Sequence, residues 1–215
     1  MKKKVVIIDY GMGNLLSIER AIMHVGGAPE ISNDPLKIAA ADRLLLPGVG
    51  AFGEGIRILR SKSLVEPILK FVKTGRPILG ICLGMQLFLS ESQEFGRHIG
   101  LDLIRGKVVH FSDFTREFPN LKIPHVGWNK VMPPENNPPW EGTVLAEINP
   151  DSYFYFVHSF FVAPEDNSHM LAVSRYGADS FCSVLRKDNI YGCQFHPEKS
   201  SENGLKIYRN FIYKM

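Results

Sequence analysis

The segment Ile78-Leu79-Gly80-Ile81-Cys82-Leu83-Gly84-Met85-Gln86 runs from a short apolar stretch through a glycine-flanked cysteine. Ile78 to Ile81 is uninterrupted and apolar, which suits a strand buried on both faces of a parallel sheet. Gly84 to Leu89 reads as helix. A strand that turns tightly into a helix needs small neighbours, and glycines stand on both sides of Cys82. The arrangement has the form of a nucleophile elbow. It pushes the side chain out of the sheet edge and sets a helix N-terminus behind it, which favours a thiolate. The backbone N–H of Leu83 is left free to bind an oxyanion. Taken alone, Cys82 would sooner read as a buried core thiol, because unpaired cysteine is among the most buried residue types.

The flanking sequence repeats the same alternation. Val5 to Ile8 reads as a buried strand, followed by a turn at Gly11-Met12-Gly13-Asn14. Leu15, Ile18, Ile22 and Val25 fall on one helical face, which Gly26-Gly27 ends. Leu44 to Leu46 is a second strand, broken by Pro47-Gly48-Val49-Gly50. Leu64, Ile68, Phe71 and Val72 mark another helix, closed at Gly75. Strands alternating with amphipathic helices predict an α/β fold with a mostly parallel central sheet flanked by helices. Ligands in such sheets bind beyond the carboxyl ends of the strands. Gly13, Gly50 and Cys82 all stand at such ends.

The second half is richer in strands. The candidates are Lys107 to Phe111, Thr143 to Ile148, Tyr153 to Val157, Leu171 to Tyr176, Phe181 to Leu185 and Ile190 to Phe195. Pro133 to Pro139 reads as a proline-rich loop, and Asn203 to Tyr213 as a closing amphipathic helix. With 215 residues, 45% of them hydrophobic, the chain supports one sizeable core, and residues 1–215 are expected to form a single domain. The net charge of +3 is scattered, with no basic block suggestive of nucleic acid. Lys2 to Lys4 precede an apolar run, but Asp9 ends it too soon for a signal peptide, and no stretch is long enough to span a membrane. Cys82, Cys182 and Cys193 are odd in number and match no zinc spacing. Free thiols in a cytoplasmic protein, without metal, are the expectation.

A thiol nucleophile needs a base, and the base needs an orienting group. Phe195-His196-Pro197-Glu198-Lys199 supplies both after an apolar strand. Glu198 lies two residues beyond His196, so both side chains point the same way from an extended segment, with Pro197 fixing the backbone between them.

Gly80-Ile81-Cys82-Leu83-Gly84-Met85-Gln86, followed over a hundred residues later by Gln194-Phe195-His196-Pro197-Glu198, resembles the motif pair of class I (triad) glutamine amidotransferases. The full length is similar to the glutaminase subunits of imidazole glycerol phosphate synthase. Ile8-Asp9-Tyr10-Gly11-Met12-Gly13-Asn14-Leu15, Leu46 to Phe52, Pro124-His125-Val126-Gly127-Trp128-Asn129, Tyr155-Phe156-Val157-His158-Ser159 and His196 to Ser201 carry the likeness. The resemblance implies a flavodoxin-like amidotransferase fold with additional antiparallel strands in the second half. It implies that Cys82 forms a glutamyl thioester, that His196 moves its proton and that Glu198 holds His196. It implies Gly50 and Leu83 as oxyanion donors, and Gln86, Tyr155 and Ser159 as holders of L-glutamine. Asn14, Trp128 and Lys199 match positions facing a (β/α)₈-barrel cyclase, a heterodimer partner that receives ammonia and makes imidazole glycerol phosphate and AICAR in L-histidine biosynthesis. The enzyme would be a hydrolase on the amide and a lyase as the whole synthase. No cofactor, nucleic acid or membrane is implied.

Val126 stands where the family more often has Met, and Phe160-Phe161 where it has an aromatic then a basic residue. These departures leave open a paralogue that feeds ammonia to another synthase, such as one acting on a surface sugar. A dinucleotide-binding reading of Gly11-Met12-Gly13 fails because the third glycine of that fingerprint falls on Leu16. A cysteine-based α/β hydrolase shares the elbow but leaves the Pro47-to-Gly50 loop and Gln86 unexplained. A non-catalytic relative would have lost Cys82, His196 or Glu198.

Overall fold

The computed structural model describes residues 3–113, 121–135, 140–177 and 179–215. The chain opens with β1 (Lys4–Ile8), α1 (Leu15–His24), β2 (Ala28–Ser32), α2 (Pro35–Ala40), β3 (Arg43–Leu46), α3 (Phe52–Ser61), α4 (Val65–Lys73), β4 (Ile78–Ile81) and α5 (Leu83–Gln86). The second half adds β5 (Leu89–Ser92), β6 (His98–Ile99), β7 (Ile104–His110), β8 (His125–Val131), β9 (Ser152–His158), β10 (Phe160–Pro164), β11 (Met170–Tyr176), β12 (Asp179–Lys187) and β13 (Ile190–Cys193), and closes with α6 (Ser201–Tyr213).

Among the described residues, eleven strands form one sheet in the order β2-β1-β3-β4-β13-β12-β10-β7-β5-β6, with β11 on β12. The block β2-β1-β3-β4-β13 is parallel throughout. From β12 to β10 and on to β7 the pairing turns antiparallel. The fold class is thus α/β with a mostly parallel centre, as the strand-helix alternation predicts. Each central strand sends alternate side chains to opposite faces. Val5 and Ile7 join one apolar cluster with α1 and α6, whereas Val6 and Ile8 join another with α2, α3 and α4. Because both faces are covered, these strands are continuously apolar rather than alternating.

The register of β13 beside β4 sets up the site. Cys193 pairs with Ile81, so Gln194 to His196 leave the sheet next to Cys82. The last strand in sequence therefore lands beside the strand that carries the nucleophile.

Several elements differ from the sequence reading. The helix expected over Gly84 to Leu89 stops at Gln86, and Leu89 opens β5. Thr143 to Ile148 is a chain of turns and not a strand: Ala146 N–H bonds Thr143 C=O and Ile148 N–H bonds Leu145 C=O. Val144, Leu145, Ala146 and Ile148 are apolar because they lie buried, and Asn210 Nδ2 of α6 donates to Val144 O at 3.0 Å and Ala146 O at 2.6 Å. The edge strand β2 carries Pro29 and Glu30, which mask a strand pattern. In α3 the residues Phe52, Ile56 and Leu59 are buried at helical spacing, but Gly53 and Gly55 obscure it in sequence. Of the proline-rich loop, residues 136–139 lie outside the described residues.

Candidate active site

Cys82 sits between β4 and α5 with φ 53° and ψ −111°. A non-glycine residue at this φ costs about 1–3 kcal/mol and persists only where its surroundings enforce it. The enforcement is visible at the neighbouring glycines. A Cβ on Gly84 would stand 1.8 Å from Leu46 O, and one on Gly80 2.6 Å from the Phe88 ring. The turn is so tight that only glycine fits on either side. Cys82 N–H is anchored on Cys193 O at 2.7 Å. Leu83 is the first residue of α5, where a helix leaves its leading N–H groups without intrahelical partners.

His196 and Glu198 meet at 2.8 Å between Nδ1 and Oε1. They do so from a 3₁₀ turn at Pro197–Lys199, not from the extended segment the sequence suggested. Lys199 N–H bonds His196 O at 3.0 Å and closes the turn. The turn is held from two sides. Ser200 Oγ donates to His196 O at 2.7 Å and accepts from Tyr155 N–H at 3.0 Å. Gly204 of α6 lies so close that a Cβ there would stand 1.8 Å from Pro197 O. Glu198 Oε2 takes a hydrogen bond from Tyr208 of α6 at 3.3 Å.

His196 Nε2 is buried with no hydrogen-bond partner. Burial alone would depress the imidazolium, but Cys82 and Glu198 outweigh it and raise the His196 pKa to about 10. Burial pushes the thiols of Cys182 and Cys193 far up, so they stay protonated and inert. Cys82 alone of the three lines a cavity of about 530 Å³. Gly50, Leu83, Gln86, Ser159 and His196 share its wall. A larger cavity of about 870 Å³ opens near Trp140, Leu145 and Lys214, but among the described residues no cysteine or histidine lines it.

The structure thus brings together Cys82, His196, Glu198, Gly50, Leu83, Gln86 and Ser159. Gly50 has φ +101°, and a Cβ there would stand 2.9 Å from Met12. Tyr155 is placed elsewhere: its ring lies between Trp128, at 6.2 Å between centroids, and Lys199, whose Nζ is 5.5 Å from the ring centre. Asn14 is exposed at the start of α1. Sequence reasoning missed Glu94, which also lines the cavity and accepts from Phe52 N–H at 2.6 Å. It missed Tyr208 too, which only the packing of α6 brings to Glu198.

The Glutamine amidotransferase class-I family matches residues 6–215. The chain belongs to that family. It is 46% identical over 208 residues to imidazole glycerol phosphate synthase subunit HisH 1 of Legionella pneumophila (strain Paris), covering 97% of this chain and 98% of that one. It is 47% identical to the HisH subunit of Syntrophotalea carbinolica, with 96% and 98% covered. Among solved structures, that of PurLQS from Thermotoga maritima superposes with a TM-score of 0.72 at 20% identity, over 98% of each chain. At that identity the likeness shows the amidotransferase fold alone.

Proposed function

We propose that the chain, acting as a single domain, is the glutaminase subunit of an imidazole glycerol phosphate synthase. It hydrolyses L-glutamine to glutamate and ammonia. The observation that carries this reading is the Cys82 elbow beside the His196–Glu198 pair, in a cavity shared with no other thiol.

Cys82 Sγ attacks the side-chain carboxamide carbon of glutamine, and His196 holds the thiol proton as imidazolium. The tetrahedral oxyanion lies against the N–H groups of Leu83 and Gly50. His196 passes its proton to the departing ammonia, leaving a glutamyl thioester on Cys82. Water, activated by His196, then hydrolyses the thioester and frees glutamate. Glu198 fixes the imidazole tautomer throughout. Gln86 and Ser159 line the space for the substrate, and the Glu94 carboxylate suits its α-ammonium group. Tyr155 supports the site through its backbone, since His196 N–H bonds Tyr155 O at 2.9 Å.

Ammonia passes to a (β/α)₈-barrel cyclase subunit in L-histidine biosynthesis. The curated relatives carry histidine-pathway names, which favours this acceptor over a surface-sugar synthase. The exposed aromatic face of β8 and β9, with Trp128 and Lys199, supports such a partner, and Asn14 is exposed at the start of α1. Among the described residues no helix is long and apolar enough to cross a membrane. A cytoplasmic location fits the pathway.

Replacing Cys82 with Ala should lower glutamine hydrolysis by about 10⁴-fold or more while the chain stays folded, as nucleophile loss does in other covalent hydrolases. His196→Ala should be nearly as damaging, and Glu198→Ala less so. Ammonia release from a clean Cys82→Ala sample at the wild-type rate would overturn the assignment.

A further inference from the structure

We propose that Gln194 is a further catalytic residue, donating a side-chain N–H to the Cys82 sulfur and so favouring its thiolate. Gln194 is fully buried, and its Nε2 lies 3.7 Å from Cys82 Sγ, an ordinary N–H···S distance. The inference rests on Cys82 being the nucleophile.

Which end of the Gln194 amide faces the sulfur follows from the groups behind it. The Phe160 carbonyl can only accept a hydrogen bond. Gln86 Nε2 stands 2.9 Å from it, so that end of Gln86 is its NH₂ group. The same NH₂ group lies 3.2 Å from the other end of Gln194, which must therefore be Oε1. The Gln194 NH₂ is left pointing at Cys82. Phe160 O is itself fixed by the ring of His158, whose Nδ1 lies 2.9 Å away and donates to it. His158 Nε2 then accepts from His125 Nδ1 at 3.0 Å, and His125 Nε2 accepts from Asn129 Nδ2 at 3.3 Å. Each link admits one donor order, so the chain from Asn129 to the sulfur is self-consistent.

A neutral thiol gains little from such a donor, but a thiolate gains a charge-assisted hydrogen bond. Gln194 is positioned for this by the pairing of Cys193 with Ile81, which sets the residues after β13 and β4 side by side. The ionisable groups around the sulfur and its cavity are His196 with Glu198 behind it, Tyr10, His158, His110 and Glu94. None of these changes when Gln194 is replaced by a neutral side chain.

The test reads the sulfur without glutamine. The full chain is alkylated with iodoacetamide across a range of pH, and modification of Cys82 is followed by peptide mass. In Gln194→Met the profile should move up by about one pH unit, with the rate well below the midpoint falling about tenfold. The limiting rate at high pH should stay close to wild type. Gln86→Met, which removes the group that orients Gln194, should move the profile in the same direction by less. An unshifted profile in a Gln194→Met chain that melts like wild type overturns the proposal. If that variant does not fold, an unshifted Gln86→Met profile overturns it. A wild-type chain whose Cys82 reacts no faster than Cys182 and Cys193 overturns the nucleophile assignment as well.

Discussion

The ladder of β8 and β9 has two faces built from alternate residues of the same strands, and they meet opposite surroundings. On the inner face Phe154 and Phe156 are fully buried, with His125 and His158 nearly so. Phe154 stacks on Phe195 at 4.1 Å, directly before the triad histidine. On the outer face Val126, Trp128 and Tyr153 are each more than half exposed, and Val157 is 36% exposed. The period of two places large apolar residues on both sides. Folding accounts for the inner set alone. A contiguous exposed apolar face of this kind marks an interaction surface. The same two strands therefore back the Cys82 cavity at the end of β9, through His158 and the Val157 carbonyl, and expose Trp128 and Tyr153 on their outer side.

The sharpest way to break this comparison is to truncate one aromatic on each face. Phe156→Ala should cost about 3–5 kcal/mol of stability, as for a buried Phe. Trp128→Ala should change stability by no more than about 0.5 kcal/mol. Denaturant midpoints measure both. Equal losses would mean that the outer face is part of the fold.

Acid should weaken the inner face specifically. Burial lowers the pKa of His125 to about 4 and of His158 to about 3, from an ordinary 6.5. The folded state holds both neutral, whereas the unfolded chain protonates them below 6.5. Their contribution is full above that pH and drains as pH falls toward 3. At pH 5 the loss is on the order of 2 kcal/mol per histidine. His196 works in the opposite window: raised to about 10, it stabilises fully below 6.5 and loses that contribution as pH rises through 10. Denaturant unfolding at pH 7 and pH 5 should show the acid loss, with a flatter slope in His125→Asn. An unchanged slope would place the protonation elsewhere.

Much of this was legible in the sequence, and the failures have physical causes. Strands β1, β3, β4 and β13 announce themselves as short apolar runs because both their faces are covered. Thr143 to Ile148 has the same composition without being a strand, since apolarity reports burial and not backbone form. Cys82, His196 and Glu198 stand in recognisable motifs, and the structure brings them together. The register between β4 and β13, which puts Gln194 at the sulfur, is a tertiary fact that no local pattern encodes. Tyr155 shows the reverse case. The resemblance implied a substrate contact, but its place on the outer parity of β9 turns its ring toward Trp128 and Lys199.

The outer face should show its worth once a partner is present. Trp128→Ala is expected to weaken binding of the cyclase subunit by about tenfold to a hundredfold, the range of an aromatic anchor, while basal glutamine hydrolysis is retained. Titration of labelled chain with the cyclase measures it. Wild-type affinity in the variant would move the interface off β8 and β9.

The smallest effect expected is on the coupling between the two faces. Ammonia released into water at neutral pH becomes ammonium and loses its nucleophilic lone pair, so hydrolysis is useful only when a partner is loaded. The Pro47-Gly48-Val49-Gly50 loop is suited to gate it. In the proposed mechanism it offers one oxyanion donor, and Gly50 at φ +101° permits a peptide orientation that other residues rarely adopt. The isolated chain should therefore turn over slowly, and the loaded cyclase should raise the rate mainly by completing the oxyanion hole. Lys199 directly follows the triad glutamate and is exposed beside Tyr155, where a carboxylate of the partner can pair with it. Lys199→Ala should lower the partner-stimulated rate by about tenfold, within the usual span of allosteric coupling, and leave the basal rate within about twofold. Glutaminase rates of both proteins, alone and with cyclase plus acceptor ligand, decide it. Full activity in the isolated wild-type chain would rule out the gate. Equal loss of basal and stimulated rates in Lys199→Ala would make Lys199 a support of the triad rather than a sensor of the partner.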